Sequence, residues 1–163
     1  MATKDQREDL DRLYRELNAR ADKLYKFVLL YSDYIHAQRD YGTGQKIGMI
    51  DVHTLTYIEE NPGTTITELA KDWNKTKGAI SQTVKRLVES GLVTRKMKEN
   101  NSKTVLLYAT EEGTRLSIAH KMYDLADIAQ TTEELMMKCT PEEIDTFYKV
   151  IDVYIGLLKQ DEK

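Results

Sequence analysis

The sequence predicts a mostly α-helical protein that carries one small β-hairpin. Three observations lead there. Apolar residues recur at helical spacing along most of the 163 residues, with only two prolines and eight glycines to interrupt them. Two short segments after Gly91 are instead rich in β-branched and aromatic residues around a polar turn. Both ends of the chain carry apolar stripes at alternating three- and four-residue spacing, which need partner helices.

Leu10, Tyr14, Leu17, Ala21, Leu24, Val28, Tyr31 and Ile35 form a long seam on a first helix that should end near Tyr41-Gly42-Thr43-Gly44. A second helix should begin with Asp51 as N-cap, bury Val52, Leu55 and Ile58, and stop at Asn61-Pro62-Gly63. Thr65 and Glu68 have the capping-box spacing, in which the threonine accepts from the glutamate amide and the glutamate reaches back. The helix they start places Ile66, Leu69, Ala70 and Trp73 on one face. Asn74-Lys75-Thr76 then offers a turn and a fresh N-cap. From Thr76 a fourth helix buries Ile80, Val84, Leu87 and Val88 and closes at Ser90-Gly91. Two short capped helices across a three-residue turn make a helix-turn-helix.

The hairpin comes next, with strands at 92–97 and 104–108 and a turn at 98–103. A hairpin directly after a helix-turn-helix is a wing, so the fold class is an α+β winged helix flanked by long terminal helices. Thr110-Glu111-Glu112-Gly113 caps a fifth helix with Leu116, Ala119, Tyr123 and Ala126 on one face. Thr140-Pro141-Glu142-Glu143 starts a sixth, striped by Ile144, Phe147, Ile151, Tyr154 and Leu158. The expected organisation is a helical dimerisation lobe from 1–45 and 111–163, and a winged helix-turn-helix lobe from 46–110.

Charge points to the use of that second lobe. The chain carries −3 in total, yet the stretch 75–103 holds eight basic and two acidic residues, a local +6 on a body of −9. Such segregation suits one phosphate-facing surface. Burial of one face of the fourth helix leaves Lys77, Gly78, Ser81, Gln82 and Lys85 outward, where a recognition helix meets the major groove. Gln82 can bond both N6 and N7 of an adenine, and Ser81 suits a base or a phosphate. Thr76, Lys77 and Lys85, with Arg95, Lys96, Lys98 and Lys103 of the wing, are assigned to phosphate or the minor groove. Arg86 is equally suited to phosphate and to a bridge with an acidic residue of its own lobe. Gly78 costs a helix about 1 kcal/mol; close approach to DNA and a loose first turn are its two explanations.

This ordered set resembles the MarR family of regulators across nearly the whole chain. The matching stretch runs from Ile66 to Gly113, through "I-x-x-L-A", "T-V-K-R-L-V-E-S-G-L-V-x-R" and "T-E-E-G". The resemblance implies a homodimer with intertwined terminal helices, bound to a pseudo-palindromic operator, most often as a repressor. At the wing tip the family's aspartate and, two residues on, its arginine are replaced by Asn101 and Lys103. Family members often bind small aromatic molecules between the dimer helices and the DNA lobe, which makes Tyr31, Tyr34, Tyr57 and Tyr123 the effector candidates.

Other functions find little support. No catalytic motif is present, so an enzyme is not expected. His36, His53 and His120 show no metal-ligand spacing with one another or with Cys139, and no cofactor is expected. The longest apolar run, Phe27 to Tyr31, is far short of a membrane span. One cysteine and a charged N-terminus suit the cytoplasm. The alternative function is a winged-helix interaction module that binds an acidic protein partner.

Overall fold

The computed structural model describes residues 4–98 and 101–159, with the side chains of 4, 5 and 101–103 outside that description. The elements run α1 Lys4–His36, β1 Gln38–Asp40, β2 Lys46–Gly48, α2 Met49–Glu60, α3 Ile66–Asp72, α4 Lys77–Glu89, β3 Val93–Lys98, β4 Asn101–Ala109, α5 Glu111–Met136 and α6 Pro141–Leu158. The mostly helical winged fold read from the sequence is therefore present. Two compact units divide the chain at Ile118 and Ala119, within α5.

The first unit holds the core. Val52, Leu55 and Ile58 of α2, Leu69 of α3, and Val84 and Leu87 of α4 are buried, together with Leu92, Leu107 and Leu116. Burial of this kind, about 1.5–3 kcal/mol per large aliphatic side chain, holds the short helices in place. Neither α3 nor a lone hairpin would persist in water unaided. Thr64 adds a third strand position to the wing: Gly63 N–H donates to the Leu107 carbonyl at 2.8 Å, and Leu107 N–H donates to the Thr64 carbonyl at 2.9 Å.

Local expectations hold at most helix ends. Thr65 and Glu68 form the capping box, as do Thr140 and Glu143, with Pro141 in the first turn of α6. Thr76 caps α4 through a hydrogen bond from Ala79 N–H at 3.2 Å. Gly91, at φ +72°, closes α4: its N–H donates to Val88, and Leu92 N–H donates to Leu87. That pair of bonds is a Schellman motif.

Three expectations are corrected. α1 stops at His36 rather than near Tyr41, because the chain turns into the antiparallel pair β1–β2. The turn is organised by Asp40, whose Oδ1 accepts from the amides of Gly42, Thr43 and Gly44 at 2.9–3.0 Å. α2 begins at Met49 with Gly48 as N-cap, so Asp51 lies inside its first turn instead of capping it. The wing strands also run further than expected: Lys98 pairs with Asn101, which places both in the ladder.

In the second unit, α6 buries none of its residues, and Phe147, Tyr154 and Leu158 are exposed. The α1 seam in the first unit is exposed too, with Leu10 and Leu17 both at 64%. No helix among the described residues is long and apolar enough to cross a membrane.

Candidate nucleic-acid interface

α4 buries Ile80, Thr83, Val84 and Leu87 on one face. The opposite face carries Lys77, Gly78, Gln82 and Lys85, all exposed, with Ser81 half-buried at its edge. These positions fall on one stripe because 78, 81, 82 and 85 are spaced by three and four residues. β3 adds Arg95, Lys96 and Lys98, also exposed. Lys103 lies in β4, but its side chain is outside the described residues, as is that of Asn101; the wing tip at 99–100 is outside them as well.

The cations differ in what already engages them. Lys77 and Arg95 form no ion pair among the described residues. Lys85 stands 3.8 Å from Glu89 on an open helix face, a pair worth about 0.2–0.5 kcal/mol and readily given up to another anion. Lys96 Nζ lies 5.1 Å from the centre of the Tyr108 ring, a cation–π contact that steadies the lysine without neutralising it. Lys98 contributes a weak attraction to Glu68. The Glu68 carboxyl sits below its ordinary pKa chiefly through the Thr65 hydroxyl, then the Thr65 amide.

Arg86 is committed elsewhere. Its Nε donates to Asp51 Oδ2 at 2.9 Å and its Nη2 to Asp51 Oδ1 at 2.6 Å, with a further bond from Nη2 to Thr83 at 3.1 Å. The Asp51 hydrogen bonds raise the guanidinium pKa above its already high ordinary value. Of its two sequence readings, the bridge within the lobe is the one formed in the structure. The fork–fork pair ties α4 to α2 across 35 residues of sequence.

The base of the wing is fixed to α5. Thr110 N–H donates to the Leu92 carbonyl at 3.0 Å, Thr110 Oγ1 donates to the Gly91 carbonyl at 2.7 Å, and Gly113 N–H donates to Thr110 Oγ1 at 3.1 Å. A Cβ on Gly113 would lie 2.1 Å from the Leu92 carbonyl oxygen, so only glycine fits. The sequence "T-E-E-G" thus encodes a cap and a close backbone approach together.

Residues 47–101 match the MarR family model. Over 125 residues the chain is 26% identical to the HTH-type transcriptional regulator YhjH of Bacillus subtilis (strain 168), covering 76% of this chain and 71% of that protein. Among solved structures it resembles Streptococcus pneumoniae FabT in complex with DNA, at TM-score 0.63 and 21% identity, over 90% of this chain and 98% of that one. It also resembles the zinc-responsive MarR family member ZitR of Lactococcus lactis, at TM-score 0.64 and 19% identity, over 90% and 99% of the two chains. The matched family and the YhjH relative are transcription regulators rather than enzymes.

The tyrosines are distributed along the chain. On α1, Phe27, Tyr31 and Tyr34 stack in a ladder with centroids 5.6 and 5.8 Å apart, and the Arg39 guanidinium covers the Tyr34 ring at 3.9 Å. Tyr57 instead lines an open depression of about 370 Å³ with Asn61, Gly63 and Glu68, in which neither Tyr31 nor Tyr34 takes part. Tyr123 is exposed on α5. His120 Nδ1 lies 3.3 Å from Asp124 Oδ2 one helical turn on, a spacing that pairing the histidines only with one another and with Cys139 overlooked.

Proposed function

We propose that the chain is a homodimeric transcription regulator that binds a pseudo-palindromic DNA duplex through residues 46–110 and represses from it. One observation carries this reading. The exposed face of α4 and the adjoining β3 gather Gln82 and five cations, Lys77, Lys85, Arg95, Lys96 and Lys98, within the stretch 75–103 whose net charge is +6, while the rest of the chain is acidic. Gln82 and Ser81 read bases; Thr76, the lysines and Arg95 hold phosphate. FabT and ZitR, two chains of like fold, have each been solved with DNA, which supports the same use of the lobe here.

Residues 1–45 and 111–163 form the dimerisation lobe. The exposed apolar seams of α1 and α6 are larger than a soluble monomer ordinarily leaves to water, and a second copy would cover them. Two lobes then meet half-sites about one helical turn apart, roughly 34 Å. A small aromatic effector releases the DNA, with Tyr31, Tyr34, Tyr57 and Tyr123 as the side chains assigned to it.

The test begins with in vitro selection of a duplex by the purified protein. Replacement of Lys96, Lys98 and Lys103 by alanine should lower the salt slope of binding by about one per lysine per subunit, alike on all sequences. Unchanged affinity and salt dependence would refute the wing's role and move the acidic-protein interaction module ahead.

A further inference from the structure

Three glycines of the first unit have reasons inside the protein. Gly91 takes φ +72° to close α4. Gly63 takes φ +87°, with the Tyr108 hydroxyl 3.2 Å from where a Cβ would sit. Gly113 is packed on the Leu92 carbonyl. Gly78, like Gly48 at the start of α2, has no such reason. It is the second residue of α4, in helical conformation and exposed. A Cβ built on it meets only Thr76 Oγ1 at 3.9 Å, an ordinary contact.

Glycine is the poorest helix former after proline, and although the cost is largest in a helix interior and smaller in a first turn, no internal contact at 78 returns it. A loose first turn does not account for it, because that turn is closed. Ala79 N–H donates to Thr76 Oγ1 at 3.2 Å and Ile80 N–H to the Thr76 carbonyl at 3.1 Å. Gly78 also heads the outward stripe that continues through Ser81, Gln82 and Lys85. The helix backbone is therefore bare at the end of α4 that a recognition helix presents to base edges.

We propose that Gly78 is the point of closest approach between α4 and the duplex, and that its missing side chain sets how deeply the helix seats in the major groove. The inference rests on the DNA-binding reading and adds a specificity-determining position to it. A side chain at 78 lifts the helix, which withdraws Gln82 from its base while the long lysine side chains of the helix and of β3 still reach phosphate. Loss should therefore fall on the selected sequence and spare random DNA.

The experiment titrates the full-length protein, Gly78→Ala and Gly78→Leu against the selected duplex and a scrambled one, with thermal melts of each. On the selected duplex alanine should weaken binding by about tenfold and leucine by about a hundredfold, the span of one good base contact. On the scrambled duplex both should stay within about twofold of the wild type. Gly78→Ala should melt about 2 °C higher, since it gains helix propensity and meets open space. Combined with Gly78→Leu, Gln82→Ala should cost little more, because the glutamine is already withdrawn. Three results would overturn the inference: equal affinities for the selected duplex, equal losses on both duplexes, or a lower melting temperature for the alanine variant. A wild-type protein that binds no duplex would instead defeat the DNA reading itself, and this inference with it.

Discussion

Arg86 offers the sharpest test of how the interface is built. Its guanidinium makes two near-parallel hydrogen bonds to Asp51, whose side chain is 18% exposed against 54% for the arginine. Fully exposed ion pairs contribute about 0.2–1 kcal/mol, whereas hydrogen bonds to charged groups reach about 1.5–3 kcal/mol. With the arginine half in water and the carboxylate sheltered, the coupling should fall between these, at about 1–1.5 kcal/mol. Asp51 lies in the first turn of α2, where the helix dipole favours its charge, so Arg86→Ala should weaken the lobe without unfolding it. A double-mutant cycle of Asp51→Ala and Arg86→Ala, followed by urea unfolding, measures the coupling directly. Arg86→Lys should recover less than half of it, because an ammonium cannot engage both carboxylate oxygens in a fork. The same variants report on DNA. Since the guanidinium is spent on Asp51, Arg86→Ala should leave the salt slope of operator binding unchanged. A coupling below about 0.3 kcal/mol, within the scatter of independent sites, would refute the bridge. A slope lowered by about one per subunit would place Arg86 on phosphate instead.

Three further outcomes are expected. Gln82→Ala should relax preference at one base pair per half-site, at a cost of about 1–3 kcal/mol on the selected duplex and little on random DNA, as read by competition binding. Gly113→Ala should cost about 3 kcal/mol or more in urea unfolding, because its Cβ would lie 2.1 Å from a backbone oxygen that two helices hold in place. Leu17→Glu with Leu24→Glu should turn dimers into monomers by light scattering and abolish operator binding along with them.

The parts of the molecule legible in the sequence are those whose causes are local. Thr65 with Glu68, Thr140 with Glu143, Thr76 before Ala79, and Gly91 after Ser90 each declare a helix end within four residues. What escaped notice depends on partners far along the chain. β1 and β2 are three residues each, too short for alternation to register, and they exist because Asp40 gathers the turn between them. Asp51 looks like an N-cap by type, yet its partner is Arg86 on another helix. The outward stripe of α4 was readable because its opposite face is apolar at regular spacing. Which of its neighbours are already engaged, such as Lys96 over Tyr108, was not.

The junction at Leu92 has a mechanical consequence. Its amide closes α4, its carbonyl receives Thr110, and that same carbonyl rests on the backbone of Gly113 in the first turn of α5. Four chain segments, the end of α4, the start of β3, the end of β4 and the head of α5, thus meet within a few ångströms and share their hydrogen bonds. Such a joint has no slack. A torque applied to the head of α5 reaches the recognition helix and the wing as one rigid lever, not as two independent fingers. If two copies bind one duplex as proposed, small rotations there would change the spacing between their readers while leaving each reader's own shape intact.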